Sequence, residues 1–223
     1  MATTALVSVN NVLKRLRENV VTSTTFATNS YAQQLLQFLN ETRQEVSDAW
    51  DWTIHRQTIS ITTVAGTNTY SVTGAGQKWR FYDKRQIILN ATNRTLIMQA
   101  NSGWMEEAKT TYTSTNTQPT YYRFIGQDAA GDPIVELYPT PDAAYVLKVP
   151  LVIAGAELVN ATDTYNLNPL VVEMGTWARA ISERGEDGGA NTSEQWMMYK
   201  SFLADAIAND AGRVSDELVW TAQ

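Results

Sequence analysis

YAQQLLQFLNETRQEVSDAWDWTIHRQTISITT, residues 31–63, contains the change of period that decides the fold. Tyr31, Leu35, Leu39, Thr42, Val46 and Trp50 recur at helical steps, with Gln37, Glu41, Gln44 and Asp48 on the other side. After Trp50-Asp51-Trp52 the pattern shortens to alternation at Ile59, Ile61 and Thr63, the period of a strand. A helix therefore hands over directly to a sheet. Trp50 ends the helical stripe and Trp52 opens the strand, so the pair is expected to tie a bundle to a sheet. Upstream, Ser30-Tyr31-Ala32-Gln33 reads as a capping box at the helix start.

Toward the N-terminus, Leu6, Val9, Leu13, Leu16 and Val20 form a second apolar stripe between Lys14, Arg15, Arg17 and Glu18. Toward the centre, the signals are those of antiparallel sheet. Ala65-Gly66-Thr67-Asn68 is a turn between two strands, and Arg85–Leu89 and Arg94–Met98 have hairpin spacing across Asn90–Asn93. Ser102–Lys109 reads as a short helix carrying Trp104. Tyr121–Ile125 and Ile134–Tyr138 flank a Gly, Asp and Pro turn. Tyr145, Leu147, Val149, Leu151 and Ile153 alternate strictly, and Pro150 within them predicts an edge strand or a bulge, because proline cannot donate to a ladder.

Helical spacing returns at Asn168-Pro169, an N-cap followed by proline at the first helical position. Leu170, Met174, Trp177, Ala178 and Ile181 form one stripe, and Trp196, Tyr199, Leu203 and Ile207 another beyond Gly185–Gly189. The expected class is α+β. Residues 1–52 and 166–212 form a helical bundle from the chain's two ends, residues 53–165 a central antiparallel β-sheet or sandwich domain, and residues 213–223 a C-terminal tail.

The net charge of −6 argues against a chain whose main task is to grip nucleic acid, since phosphate binding rests on clustered Lys and Arg. No cysteine is present, which removes disulfides, thiolate nucleophiles and cysteine-ligated metals. The start Met1–Leu6 has neither the basic region nor the apolar run of a signal peptide, and no segment approaches the roughly 20 apolar residues that span a bilayer. A soluble protein made in a cytosol, without membrane contact, is expected. Asn-x-Ser/Thr triplets at Asn40, Asn90, Asn93 and Asn160 are read as composition.

No catalytic motif is recognisable. A Gly-x-Ser-x-Gly elbow, a phosphate loop and His-Glu-x-x-His are all missing from the sequence. His55 is the single histidine and reads as a surface or junction residue rather than a general base. Glu106-Glu107 and Glu186-Asp187 are sequence neighbours whose side chains diverge, and Asp128 with Asp132 fits turn chemistry better than a calcium loop. No cofactor, metal or catalytic residue is expected. Lys78, Trp79, Arg80, Lys84 and Arg85 interleave cations with aromatics. Such a strip could stack bases, but it reads better as packed aromatics whose cations meet another subunit.

The order of several pieces carries a resemblance. The helix ending in Trp50-Asp51-Trp52 is followed by Gly66-Thr67-x-x-Tyr70, Pro119-Thr120-Tyr121, Leu137-Tyr138-Pro139-Thr140-Pro141, Asp163-Thr164 and Leu167-Asn168-Pro169. In this order, over about residues 6 to 212, the chain resembles head-to-tail adaptors of tailed bacteriophages, the family that includes tail tubular protein A of short-tailed phages. Ser71-Val72-Thr73-Gly74 departs from the Leu-Pro type of exit more usual there. The resemblance implies a structural virion protein at the head-tail junction, made in the host bacterial cytoplasm. It would form a homo-oligomeric ring, a dodecamer, joining the portal protein to the tail nozzle protein and in some phages to tail fibres. Double-stranded DNA would pass through without sequence-specific binding. The strip at Lys78, Trp79, Arg80, Lys84 and Arg85 becomes an intersubunit or tail-partner contact. The tail residues Arg213, Asp216, Glu217, Leu218, Val219 and Trp220 become a portal interface, since the apolar Leu218-Val219-Trp220 beside the two acids has no partner in its own sequence neighbourhood; the alternative is that the segment folds back onto its own bundle and buries Trp220. A carbohydrate- or receptor-binding β-domain of a phage tail, using Trp79 or Trp104 as a sugar platform, is the alternative.

Overall fold

The computed structural model describes residues 2–82, 85–111, 115–185 and 190–213, the side chains of 190–192 excepted. Its chain begins β1 (Thr3–Thr4), α1 (Ala5–Arg15), α2 (Ser30–Ala49), a 3-10 turn (Thr53–His55) and β2 (Arg56–Thr62). It continues through β3 (Thr69–Ser71), β4 (Trp79–Phe81), β5 (Ile88–Asn90), β6 (Thr95–Gln99), α3 (Ser102–Thr111), β7 (Tyr121–Gln127), β8 (Pro133–Tyr138) and β9 (Val146–Ile153). It closes with β10 (Thr164–Tyr165), α4 (Pro169–Arg184) and α5 (Ala190–Ala211). The class is α+β, in two compact units: Met1–Ile54 with Ala154–Gln223, and His55–Ile153.

In the helical unit, α4 packs against α1, α2 and α5. Covered from three directions, it buries Val171, Val172, Met174, Thr176, Ala178 and Ala180, which lie all around the helix, while Leu170 of the expected stripe is exposed. Gly175 sits where two neighbours close in: a β-carbon there would lie 2.5 Å from Thr42 Cγ2 and 2.8 Å from Tyr199 Cε2. Gly175→Ala is expected to cost about 1–3 kcal/mol by overpacking. A urea midpoint equal to that of the unaltered chain would contradict this close approach.

Three local expectations change. Helix α1 stops at Arg15, because Arg17 adopts φ 58° and the amides of Arg17 and Glu18 bond back to Lys14 O and Leu13 O. That Schellman turn leaves Val20 exposed, outside the stripe. The cap of α2 is Asn29, whose side chain accepts from Ala32 N at 2.9 Å, and Gln33 reaches Phe26 O instead of completing a capping box. Residues 154–165, read from sequence as part of the β domain, pack in the helical unit. There the Asn40 amide exchanges two bonds with Leu158 (2.8 and 3.0 Å), Tyr165 OH meets Ser8 Oγ at 2.7 Å, and β10 pairs with β1.

In the β unit, eight strands form one sheet in the order β2-β9-β5-β6-β7-β8-β3, with β4 beside β5 on β9. Ile88, Ile97, Tyr122, Val135, Leu147, Val149 and Leu151 make its core. The sheet is mixed rather than purely antiparallel. Strands β6 and β7 pair in parallel, and a parallel pair needs a crossover, which α3 supplies. The turn after β2 does not close a hairpin, since β2 pairs with β9 and β3 with β8. Strand β9 is not at an edge either: β2 lies on one side, β4 and β5 on the other. Thr63 N donates to Tyr145 O and Ala91 N to Val146 O, so odd residues of β9 turn their backbone toward β2 and even ones, Pro150 included, away from it. On that second side β5 stops at Lys148 and β4 begins at Leu151. The missing donor of Pro150 therefore faces the gap between two short strands, which is why proline is tolerated in a central position.

Candidate interaction surfaces

Within the strip, Trp79–Phe81 form β4, with the Trp79 and Phe81 rings turned to the core. Trp79 lies 4.4 Å from Phe124 between ring centroids, Phe81 lies 6.2 Å from Tyr122, and both rings pack against the β-unit core. This leaves Trp79 half-buried and unsuited as an open platform for bases or sugars. Lys78 and Arg85 are exposed, Arg80 is half-buried on β4, and Lys84 lies outside the described residues. The basic side of the strip therefore stays at the surface at Lys78 and Arg85.

The tryptophan pair belongs to the helical unit. Helix α2 ends at Ala49, Trp50 takes an extended C-cap conformation, and Trp52 is buried with its Nε1 donating to Val46 O at 2.6 Å. Strand β2 begins only at Arg56, after the 3-10 turn. Sequence pattern did not reveal the anchor of this turn, Asp210 near the end of α5. Its buried carboxylate accepts from Trp50 Nε1 (3.2 Å), Thr53 N (2.9 Å) and Thr53 Oγ1 (2.6 Å). Arg213, the first tail residue, lies 3.6 Å from the same carboxylate; Asp216, Glu217, Leu218, Val219 and Trp220 lie outside the described residues.

A second cluster missed in the sequence holds α3 on the sheet. Buried Glu136 on β8 accepts from Arg123 Nε at 2.7 Å and pairs with Lys109, while Arg123 also pairs with Glu106 and donates to Ser102 O at 3.2 Å. Trp104 meets the Tyr121 ring at 4.7 Å. Beyond α3, Leu89, Leu96 and Met98 on the outer sheet face are exposed, with no cover among the described residues. A signal for this face existed in the sequence. Ile87-Ile88-Leu89 and Leu96-Ile97-Met98 are continuous apolar runs, the mark of strands apolar on both faces.

One family model matches nearly the whole chain. The family described as SU10 adaptor protein matches residues 5–220. The chain belongs to that family. None of the curated proteins matches the chain. The family agrees with the resemblance to phage head-to-tail adaptors carried by the ordered motifs from Trp50 to Pro169.

In this SU10 adaptor family member, Glu106, Asp128 and Asp132, among the residues that invited catalytic readings, are engaged structurally. His55, read as a surface or junction residue, is buried and is the first residue of the β unit. Glu106 is paired with Arg123 while Glu107 points out exposed, and Glu186 and Asp187 lie outside the described residues. Asp128 accepts from Ser71 Oγ, Ala130 N and Asp132 N, and Asp132 accepts from Gly74 N (3.0 Å) and Gly76 N (2.6 Å). The carboxylates thus shape the loop after β3. Among the described residues no His, Cys, Asp and Glu grouping could hold a metal ion, and no helix is long and apolar enough to cross a membrane.

Several of these carboxyls are held below the ordinary range: Asp128 by the Ser71 hydroxyl and backbone amides, Asp163 by the amides of Asn160 and Val159, Glu106 by Arg123. A carboxyl whose folded pKa lies below its unfolded value adds stability above the unfolded value, and that stability is lost as pH falls through the folded pKa. With ordinary values of 3.8 for Asp and 4.5 for Glu, the thermal midpoint is expected to stay level above about pH 5 and to drop below about pH 4. A midpoint unchanged from pH 5 to pH 3 would contradict this, and Asp128→Asn is expected to flatten part of the drop.

Proposed function

We propose that this chain is a structural head-to-tail adaptor of a tailed phage virion. Copies form a ring of about twelve, with heterologous contacts between neighbours, that joins the portal to the tail and continues the DNA channel. The family match over residues 5–220 is the observation that carries this reading. The tail nozzle and, in some phages, fibres attach below, and the role is mechanical rather than catalytic. Charge supports DNA passage: at −6 per copy, a twelve-fold ring would carry about −72, a like-charge wall to which a duplex does not stick. The tail from Arg213 through Trp220 enters the portal, starting from the end of α5 that Asp210 secures.

Negative-stain imaging of the chain mixed with the portal of the same phage tests this. A ring stacked on the portal is expected, while the chain alone sediments as a monomer or small oligomer. Removal of residues 213–223 is expected to leave the melting temperature unchanged and abolish portal binding. Absence of any ring on the portal would sink the adaptor reading, and full-strength binding by the truncated chain would remove the tail's role.

A further inference from the structure

We propose that the uncovered half of the outer sheet face seats helix α5 of a neighbouring copy. This deepens the ring reading above and rests on it. In the strand register Leu89 lies opposite Leu96 and beside Lys148 of β9, and Met98 lies beside Tyr121. Leu96 and Met98 are 56% and 57% exposed, and Leu89, Val146 and Tyr121 each more than a third. One continuous apolar surface thus crosses four strands, whereas apolar side chains exposed singly need no partner.

The other half of the same face shows what fits it. There α3 lies across β7 and β8, burying Met105 and Ala108, with Trp104 against Tyr121 and Tyr138. The face accepts an amphipathic helix, and its own helix covers only one side.

Charge selects the occupant. The helical unit has eight Lys and Arg against sixteen Asp and Glu, a net −8, while the β unit has nine against seven, a net +2. Neighbours in a ring meet through two different surfaces, so opposite units of adjacent copies attract where like units repel. The uncovered face agrees: the outward residues of β5, β6 and β9 include no carboxylate, and exposed Lys148 and Arg94 border the apolar centre. On the acidic unit, α5 presents Met197, at 72% the most exposed large apolar side chain among the described residues, next to Met198. Glu194 and, one turn beyond Ser201, Asp205 share that face, with Lys200 at its border. Methionine adapts its shape to an uneven surface. A patch of a few hundred Å² falls short of the roughly 800 Å² per partner of a stable pair, so neighbours hold only when a portal aligns them.

The chain has no cysteine, so introduced thiols are unambiguous. The full chain carrying Leu96→Cys and Met197→Cys, bound to the portal, is treated with a short bismaleimide. A ladder of covalent multimers is expected, and dimers only when the two single variants are mixed. Met98→Asp added to the double variant is expected to reduce the ladder at least tenfold without moving the melting temperature. A ring visible on the portal with no ladder overturns this contact and leaves the adaptor reading standing. A ladder without any ring on the portal upholds the contact and overturns the ring reading. Neither ladder nor ring overturns both.

Discussion

Trp52→Ala is expected to destabilise the helical unit by about 3–5 kcal/mol. The indole is 6% exposed within the core that α1, α2, α4 and α5 share, and its Nε1 donates to Val46 O at 2.6 Å. Truncation removes a large apolar surface, leaves a cavity and takes away the indole bond to Val46 O. For a chain of this size the midpoint should fall by about 10 °C, at roughly 2–4 °C per kcal/mol. Trp50→Ala should cost less, because Trp50 is only half-buried. Thermal unfolding followed by circular dichroism ranks the two. A Trp52→Ala midpoint within about 2 °C of the unaltered chain, or a larger loss at Trp50, would show that the anchor has been misplaced.

Glu136→Ala is expected to cost about 3 kcal/mol and to loosen α3 first. Glu136 and Arg123 have side chains 7% and 11% exposed, and Arg123 Nε and Nη2 lie 2.7 and 2.6 Å from one carboxylate oxygen while Lys109 takes the other. Removing the acid strands Arg123 in a nearly dry site, with solvent-exposed Glu106 its remaining carboxylate. Replacement of a whole buried ion pair can be neutral, but removal of one partner is not. Hydrogen exchange reads the effect by position: the amides of Ser102–Thr111 should exchange faster before those of α4. Protection of α3 equal to that of the unaltered chain would mean that Trp104 and Met105 hold it without the ion pairs.

Local periodicity made the elements legible. The change from period 3.6 to period 2 after Trp50, the Asn168-Pro169 start and the Gly185 stop are short-range signals, and α2, β2 and α4 follow them. The ends of elements were harder. Asn29 rather than Ser30 caps α2, because its side chain reaches Ala32 N, and α1 stops where the backbone of Arg17 turns to φ 58° and the amides of Arg17 and Glu18 bond back to Lys14 O and Leu13 O. Long-range pairing was not legible. Glu136, Arg123 and Asp210 are ordinary charged residues in sequence, and only folding brings each to partners 13 to 160 residues away.

By itself the amino-acid sequence determined the α+β class, helices toward both ends and strands between them, and motif order sufficient for the adaptor resemblance that the family match supports. Those are properties of local period and turn chemistry, written within windows of about 10 to 20 residues. Only the tertiary structure decided that Pro150 stands in a central strand, that β6 and β7 run parallel around α3, and that Leu89, Leu96 and Met98 of an apolar sheet face are exposed among the described residues. Strand order and the covering of a face depend on which distant segments meet. A strand's own residues say that it is apolar on both sides, and not what lies against them.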